Sequence, residues 1–333
     1  SGFEGNAAYG TEISCFAEIR NELYMGGHLE ILRNPTNTRS QVARWSGSEW
    51  RALGTRQSVR VLALAAWEGD LYVGGTTQLD DGGEIEMEKW DGRQWSDIGA
   101  GTNAGSVNAL VVWNGALFAG GSFTQIGEAQ ARHIVRWDGN AWSTLGVGLD
   151  GDVSALTEWE GQLYAGGRFT TAGGKVANGV ARWDGENWAS VGQGVQSGEV
   201  HVLLPSDGYL YAGGSFEQAG GEIVHGIARW DGEIWHPLGS GVQGAVSSLA
   251  LLGNELYVGG NFLTAGGKPS AYLARVFLDG IPGIELTRDR ATIHFRGLAA
   301  GRYQIERSHR LQDWLALQTC SVGISGGLEF VDY

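Results

Sequence analysis

The stretch QLYAGGRFTTAGGKVANGVARWDGENW, residues 162–188, contains the unit from which most of this chain is built. An apolar run closed by Gly166-Gly167 is followed by a loop of small polar residues. A second apolar run then ends in Arg182-Trp183, and an Asp-Gly turn leads to another Trp at position 188. Versions of this pattern return along the chain, so the repeat is the feature from which the fold can be predicted.

The Gly-Gly pairs of the successive copies lie at an almost constant spacing. They follow six aromatic residues, at intervals of 48, 46, 46, 47 and 46 residues: Tyr24, Tyr72, Phe118, Tyr164, Tyr211 and Tyr257. A period of this length built from short strands is typical of the blades of a β-propeller. The high glycine content (56 residues) and the 14 tryptophans agree with many tight turns between short, aromatic-rich strands.

Each copy divides into four predicted strands. The first is represented by residues 153–159 and ends in a two-residue turn such as Glu160-Gly161, which favours a hairpin. The Leu-Tyr-Ala-Gly-Gly run is the second strand, residues 179–183 form the third, and Trp188 lies in the fourth. Thirteen of the 14 tryptophans lie in these units, and we expect them to pack blade against blade.

The order of apolar strand, small turn, Leu-Tyr-x-Gly-Gly, loop, strand, turn and Trp-x-x-Leu-Gly resembles the kelch repeat, especially that of bacterial secreted proteins. The resemblance covers residues 1–280 and implies an all-β, kelch-like propeller of six four-stranded blades. The third strand ends in Arg-Trp-Asp-Gly, where animal kelch repeats carry a Tyr-Asp-Pro type of turn, and the long loops share little with characterised kelch binders. The resemblance therefore implies a fold and no specific partner.

The ends of the repeat predict how the propeller is completed. The sixth copy loses the pattern after Ala274-Arg275, and residues 1–5 align with residues 240–244, which directly follow a fourth strand. We therefore expect an upstream Trp-x-x-Leu-Gly segment to complete the sixth blade, because an unpaired blade edge is a liability. Seven blades, with one outside this sequence, are the alternative.

From residue 281 the composition changes, and residues 281–333 are predicted to form a second, small β-sandwich-like module. Five short strands are expected, at residues 284–287, 291–296, 302–307, 314–318 and 328–331. The phrase Tyr-Gln-Ile-Glu-Arg-Ser beginning at Tyr303 is similar to a C-terminal β-module of large secreted bacterial proteins, which normally continues beyond the point corresponding to Tyr333.

Charge and cysteine content narrow the possible partners. A formal charge of −14 disfavours nucleic acid and anionic membrane surfaces, and no apolar run reaches the length of a membrane span.

Cys15 occupies a position where other copies have small core residues, so we interpret it as a small core residue; a disulfide with Cys320 has no support in the sequence. The oligomeric state is not indicated.

The connections from second to third strand are the long ones, and all of them are expected on one face of the propeller, here called the long-loop face. Loops held by a rigid scaffold are where binding residues concentrate. We predict that the residue after each Gly-Gly pair rings the channel mouth on this face and is a ligand-binding candidate. The six residues are His28, Thr76, Ser122, Arg168, Ser215 and Asn261.

Other patterns favour structural roles. The third-strand basic residue recurs in every copy, which favours an ion pair or carbonyl contact between blades: Arg44, Lys89, Arg136, Arg182, Arg229 and Arg275. His201 and His225 are the weak candidates for a metal site, and no metal or other cofactor is expected. Asp80-Asp81-Gly82-Gly83 lacks the spacing of a calcium loop, and no catalytic motif or catalytic residue stands out.

These observations favour a non-enzymatic binding or structural part of a secreted or surface-exposed protein, which recognises a protein or glycan through the long-loop face. Two alternatives stay open. One is a glycan-active enzyme with carboxylates at the channel mouth, and the other is a surface or assembly component without a small ligand. Converging carboxylates in a deep pocket would favour the enzyme, whereas a shallow polar surface would favour binding.

Overall fold

A computed structural model describes most of the chain. It covers residues 12–29, 41–53, 59–77, 85–98, 105–206, 208–253, 255–278, 283–287, 290–296, 302–308, 314–321 and 327–332, with side chains only within residues 12–278. The described residues form strands and turns, and no helix among them is long and apolar enough to span a membrane. The predicted segment at residues 1–5 and the Asp80–Gly83 loop lie outside the described residues.

The first three copies of the repeat form three four-stranded antiparallel sheets, each with its strands in chain order. Their strands are β1 (Glu12–Ile19), β2 (Glu22–His28), β3 (Val42–Trp45), β4 (Trp50–Ala52), β5 (Val59–Trp67), β6 (Asp70–Thr77), β7 (Ile85–Trp90), β8 (Trp95–Asp97), β9 (Val107–Trp113), β10 (Ala116–Gly121), β11 (Ile134–Trp137) and β12 (Trp142–Thr144).

The next three copies form further sheets, and their long loops carry additional two-residue strands. The strands are β13 (Asp152–Trp159), β14 (Gln162–Arg168), β15 (Thr171–Ala172), β16 (Lys175–Val176), β17 (Val180–Trp183), β18 (Trp188–Ser190), β19 (Val195–Gln196), β20 (Val200–Ser206), β21 (Tyr209–Gly214), β22 (Gln218–Ala219), β23 (Glu222–Ile223), β24 (Ile227–Trp230), β25 (Trp235–Pro237), β26 (Val242–Leu252), β27 (Glu255–Ala265), β28 (Lys268–Pro269) and β29 (Leu273–Phe277).

The fourth and fifth blades have the orders β13-β14-β17-β18 and β20-β21-β24-β25. In the sixth sheet β26, β27 and β28 follow one another, and β29 pairs with β27. The first strands of consecutive blades are neighbours, β1 beside β5, β5 beside β9, β9 beside β13, and β13 beside β20. The prediction of an all-β propeller with six repeated blades is therefore confirmed.

The remaining strands form two small antiparallel sheets, β30-β31-β34 and the hairpin β32-β33. They are β30 (Gly283–Thr287), β31 (Arg290–Arg296), β32 (Arg302–Ser308), β33 (Trp314–Ser321) and β34 (Gly327–Asp332). All five were predicted from the sequence. The chain divides into two compact units. One consists of Ser1–Leu249 and Gly259–Ala274, and the other of Ala250–Val258 and Arg275–Tyr333. The boundary near residue 280 stays a prediction.

In five of the six Gly-Gly pairs, the first glycine allows one blade to approach the next. A Cβ added to Gly120 would lie 2.5 Å from Cγ1 of Val153, a fully buried residue of the following first strand. The same contact recurs between five pairs of consecutive blades: Gly26 with Val61, Gly74 with Val107, Gly120 with Val153, Gly166 with Val200, and Gly213 with Val246. Glycine is repeated here because the space of a side chain is already occupied by the neighbouring valine.

The tryptophans also join consecutive blades, as predicted. The Trp188 indole donates a hydrogen bond of 3.1 Å to the Leu145 carbonyl of the preceding blade. Equivalent bonds run from Trp95 to Leu53, from Trp142 to Ile98 and from Trp235 to Val191. Within a blade the third-strand and fourth-strand tryptophans form tilted pairs, such as Trp183 with Trp188 at 5.3 Å between ring centroids.

The Asp-Gly turns at the opposite face are closed by the aspartate side chain. Oδ1 of Asp184 accepts hydrogen bonds from the amides of Glu186 and Asn187, at 2.8 and 2.7 Å, and Gly185 adopts a φ of 111°. These amides lower the pKa of the Asp184 carboxyl below its usual value, because they stabilise the charged form. The same arrangement occurs at Asp91, Asp138 and Asp231.

Candidate functional site

Five of the six residues of the predicted ring lie at or next to the end of a second strand, whereas Asn261 lies within β27, and their environments differ. Asp152 pairs with Arg168 across β13 and β14, which places Arg168 beside the innermost strand of its blade. Glu12 pairs with His28, and Arg60 with Thr76, in the same way. Ser215 and Asn261 have exposed side chains, as does Arg168, whereas His28, Thr76 and Ser122 are partly covered.

Two members of the ring are used in local structure. Oγ1 of Thr76 donates a hydrogen bond of 3.0 Å to the Gly105 carbonyl, which lies in the connection to the next blade. Oγ of Ser122 accepts the Ser106 amide proton at 2.9 Å and lies 3.0 Å from the Ser106 hydroxyl. Because these hydroxyls already have partners, the ring is less uniform than the repeat suggested.

The inner strands contribute polar residues that sequence reasoning missed. In five blades the pairing of first and second strands shifts near the long-loop face, for example between Val153 and Ala155, so that a bulged residue such as Ser154 is inserted. Asn108 at the equivalent bulge donates a 3.1 Å bond to the Val153 carbonyl, and His201 contacts the Val246 carbonyl at 3.0 Å. Three of the five bulge residues, Asn108, Ser154 and His201, therefore reach the next blade.

Two short side-chain networks join neighbouring blades, one between the fourth and fifth blades and one between the third and fourth. Oγ of Ser154 donates a 2.9 Å hydrogen bond to the Glu199 carboxylate, and Nε2 of His201 lies 4.0 Å from that group. Nδ1 of His133 lies 3.2 Å from the Gly121 carbonyl and 3.3 Å from Oδ1 of Asp152. The sequence signal available was the variation of these positions between copies that otherwise repeat.

His133 has a left-handed backbone with a φ of 65°, and the equivalent positions 179 and 226 are glycines. A side chain in this conformation costs about 1–2 kcal/mol relative to the right-handed region. Such strain is found where the surroundings hold a residue in place, often at functional sites. The interaction with Asp152 is one that glycine could not make.

A cleft of about 430 Å³ opens on the long-loop face where the fourth and fifth blades meet. It contains one residue of the predicted ring, Arg168, together with Asp150, Thr170, Asn178, Gln196 and the Ser197–Gly198 turn. Phe169 and Val195 are buried at its base, with exposed fractions of 5% and 3%. Among the described residues, no group forms a hydrogen bond or ion pair with the Arg168 guanidinium.

The Asp150 carboxylate fixes the backbone that follows Arg168. Oδ1 accepts the amide protons of Thr170 and Thr171 at 2.8 and 2.7 Å, and Oδ2 accepts the Thr170 hydroxyl proton at 2.6 Å. Desolvation acts to raise the pKa of Asp150, but these hydrogen bonds outweigh it and lower the pKa to about 2. Asp150 is therefore a charged anchor of the loop and a poor proton donor.

The long loops are more ordered than the predicted loop pattern implies. β15 and β16 form a small hairpin around Gly173-Gly174, and β19 of the connection pairs with β22 of the next loop. Ala172 and Ala177 are buried, and Gly173 packs against the Trp188 side chain. Much of the long loop at residues 168–178 is therefore scaffold, and its accessible polar side chains include those of Arg168, Thr170, Lys175 and Asn178.

The two histidines considered for a metal lie in the fifth blade with different partners. His201 contacts the Val246 carbonyl, and Nδ1 of His225 lies 3.2 Å from the Glu217 carboxylate. Within the described part of the chain, no group of three or more His, Cys, Asp or Glu residues has the arrangement of a metal site. Cys15 packs against the core at the first and second blades, and burial raises the pKa of its thiol to about 12.

Four of the six third-strand basic residues contact a partner within their own blade, so the prediction of contacts between blades was wrong for these four. Arg44 pairs with Glu22 at 3.2 Å and Lys89 with Asp70 at 3.1 Å, both within one blade. Arg275 pairs with Glu255 at 3.1 Å, and the Arg229 guanidinium lies 4.4 Å from the centroid of the Tyr209 ring. The cause is the antiparallel register, which puts the basic residue diagonally across from the first residue of the second strand.

Comparison with known proteins adds no family. No family model matches the chain, and no curated protein matches it. Among solved structures, one similar chain is a protein from Lactobacillus plantarum with 12% sequence identity and a TM-score of 0.43; the match covers 94% of this chain and 99% of that chain. A likeness at this level carries no conclusion about function.

Proposed function

We propose that this chain is a kelch-like, extracellular or cell-surface binding module that recognises a protein or glycan through the long-loop face. The observation that carries the proposal is the cleft between the fourth and fifth blades, where Arg168 is exposed and has no partner in the part of the chain that the structure describes. Loops supported by a scaffold of this kind are common sites of recognition. Nucleic acid and membrane insertion are not part of the proposal, because the formal charge is −14.

Binding is favoured over glycan cleavage by the state of the carboxylate in the cleft. Glycoside hydrolysis requires a carboxylic acid that can donate a proton and a second carboxylate at a suitable separation. Asp150 accepts three hydrogen bonds, and its pKa of about 2 keeps it ionised at neutral pH. Arg168 and Asn178 can hold a ligand but have no role in general acid catalysis at neutral pH.

A screen of glycans and surface proteins tests the proposal. The chain is immobilised and compared with three variants: Arg168→Ala and Asn261→Ala on the long-loop face, and Arg136→Ala as a matched control. Arg136 is also exposed, but it lies opposite Phe118, away from the long loops. We expect a ligand whose binding is weakened by Arg168→Ala or Asn261→Ala and unchanged by Arg136→Ala.

Two outcomes would count against this proposal. A ligand that binds all four proteins equally would show that recognition occurs elsewhere on the chain. Turnover of a glycan, detected as new reducing ends during incubation with the unmodified chain, would favour the enzyme alternative.

A further inference from the structure

We propose that the cleft between the fourth and fifth blades binds a carboxylate-bearing sugar, with the Arg168 guanidinium on the carboxylate. This inference rests on the proposed binding function and specifies its ligand.

Among the described residues that line the cleft, Arg168 is the one cation. Arg168 is exposed, lines the cleft and has no partner among the described residues. A guanidinium presents paired N–H donors in a plane, and a carboxylate accepts two parallel hydrogen bonds from it. The overall negative charge of the chain does not prevent this contact, because charges farther apart than about 8 Å are largely screened at physiological salt.

Both acidic residues near Arg168 are engaged elsewhere. Asp150, which lines the cleft, accepts three hydrogen bonds from Thr170 and Thr171. Asp152 is the direct cross-strand neighbour of Arg168, but its Oδ1 lies 3.3 Å from Nδ1 of His133 in the preceding blade. No ion pair joins Asp152 to Arg168 within the described residues, and Asp152 does not line the cleft. The strained His133 therefore acts as a positioning residue, which draws Asp152 away and leaves Arg168 available.

Asn178 and Gln196 contribute side-chain amides to the lining of the cleft. The Asn178 side chain donates Nδ2 to the Gln193 carbonyl at 3.2 Å, which leaves its Oδ1 as an acceptor. Gln196 donates Nε2 to the same carbonyl at 3.0 Å, and its Oε1 is buried without a partner. Sugar hydroxyls are donors that the Asn178 amide oxygen can accept, so a sugar carrying a carboxylate matches both parts of the cleft.

The loop is held in place before any ligand arrives. Asp150 fixes Thr170 and Thr171 through three hydrogen bonds, and Val195 donates its amide proton to the Asn178 carbonyl at 2.9 Å. A site that is already ordered loses less conformational entropy on binding. The amide and guanidinium groups are therefore presented on a fixed backbone.

The test measures binding of uronic acid oligosaccharides and of their methyl esters, which keep the hydroxyls and lose the charge. Glucuronate and galacturonate oligomers are titrated into the chain by calorimetry, in EDTA to exclude metal bridging. We expect at least one acid to bind about tenfold or more tightly than its ester, as a charge-assisted hydrogen bond predicts. Arg168→Ala should abolish this preference, Arg168→Lys should reduce it, and Arg136→Ala should preserve it.

The inference is overturned if acid and ester bind equally, if no uronate binds, or if Arg168→Ala keeps the preference. An acidic peptide that binds better than every uronate would assign the cleft to a protein ligand and would also overturn it. The proposed function can be judged separately with a ligand from the screen. If that ligand is neutral and depends on Asn261 alone, the binding face stands and the acidic-sugar assignment fails.

Discussion

Substitution of Gly120 by alanine tests the packing that joins one blade to the next. The added Cβ would lie 2.5 Å from Cγ1 and 3.1 Å from Cβ of Val153, and 3.2 Å from Cδ1 of Leu156. Valine is stiff about χ1, and Val153 is fully buried, so it cannot rotate away without a new clash. Overpacking of this kind costs about 1–3 kcal/mol of unfolding free energy. For a chain of 333 residues, with an unfolding entropy of about 2.1 cal/mol/K per residue, we expect the melting temperature to fall by about 1–4 °C.

The measurement is a double-mutant cycle by urea denaturation. Val153→Ala alone removes two buried methyl groups and should also destabilise the chain, by about 1–3 kcal/mol. The double variant Gly120→Ala with Val153→Ala should recover part of the loss, because the new methyl group fills the space that valine vacates. A coupling energy of about 1 kcal/mol or more is expected for residues in contact. Strict additivity, or a Gly120→Ala variant as stable as the parent, would refute the explanation of the repeated glycine.

Three further predictions concern other repeated or charged positions. Trp188→Phe should lower the free energy of unfolding, measured by chemical denaturation, by about 1–2 kcal/mol more than Trp230→Phe does. The reason is that the Trp188 indole donates a hydrogen bond to the Leu145 carbonyl, whereas the buried Nε1 of Trp230 has no partner among the described residues. Equal losses of stability would contradict this. Tyr272→Gly should stabilise the chain by about 0.5–1 kcal/mol, because the exposed Tyr272 has a φ of 65° that glycine tolerates; Tyr272→Ala should give no such gain. A Tyr272→Gly variant that melts no higher than the parent would count against strain at this position. Because the pKa of Asp150 is lowered to about 2 from an ordinary value of 3.8, the stability that its charged form contributes is present above about pH 4 and is lost as the pH falls through 2. For this exposed group the contribution is at most about 1 kcal/mol. A stability difference between the parent and Asp150→Asn that does not shrink below pH 4 would be inconsistent with a lowered pKa at Asp150.

The fold could be predicted because the blade repeats its packing requirements in the sequence. Gly120, Val153 and Trp188 belong to positions that recur at nearly constant spacing, and the structure gives them recurring contacts. The partners of the third-strand basic residues could not be predicted from spacing alone. Arg44 meets Glu22 because of the register between β2 and β3, and that register is set only when the sheet forms.

The candidate site was predicted in outline and missed in detail. The repeat indicated the face and named Arg168, but the cleft depends on Asn178 and Gln196 of separate loops that meet only where two blades pack. The bulge that brings Ser154 toward Glu199 has no sequence signature of its own in this chain. Positions that vary among otherwise regular copies, such as Asp152 and Glu199, were the available signal for the inner strands.

The central claim is that ligand recognition occurs on the long-loop face, with the cleft between the fourth and fifth blades as its main contact. Hydrogen–deuterium exchange of the chain, with and without a ligand found in the screen, tests this claim most directly. We expect slower exchange of the amides at residues 168–171 and 195–198 when the ligand is bound, and no change at the Asn114-Gly115 and Glu160-Gly161 turns. Protection at those turns, with the cleft amides unaffected, would contradict the claim.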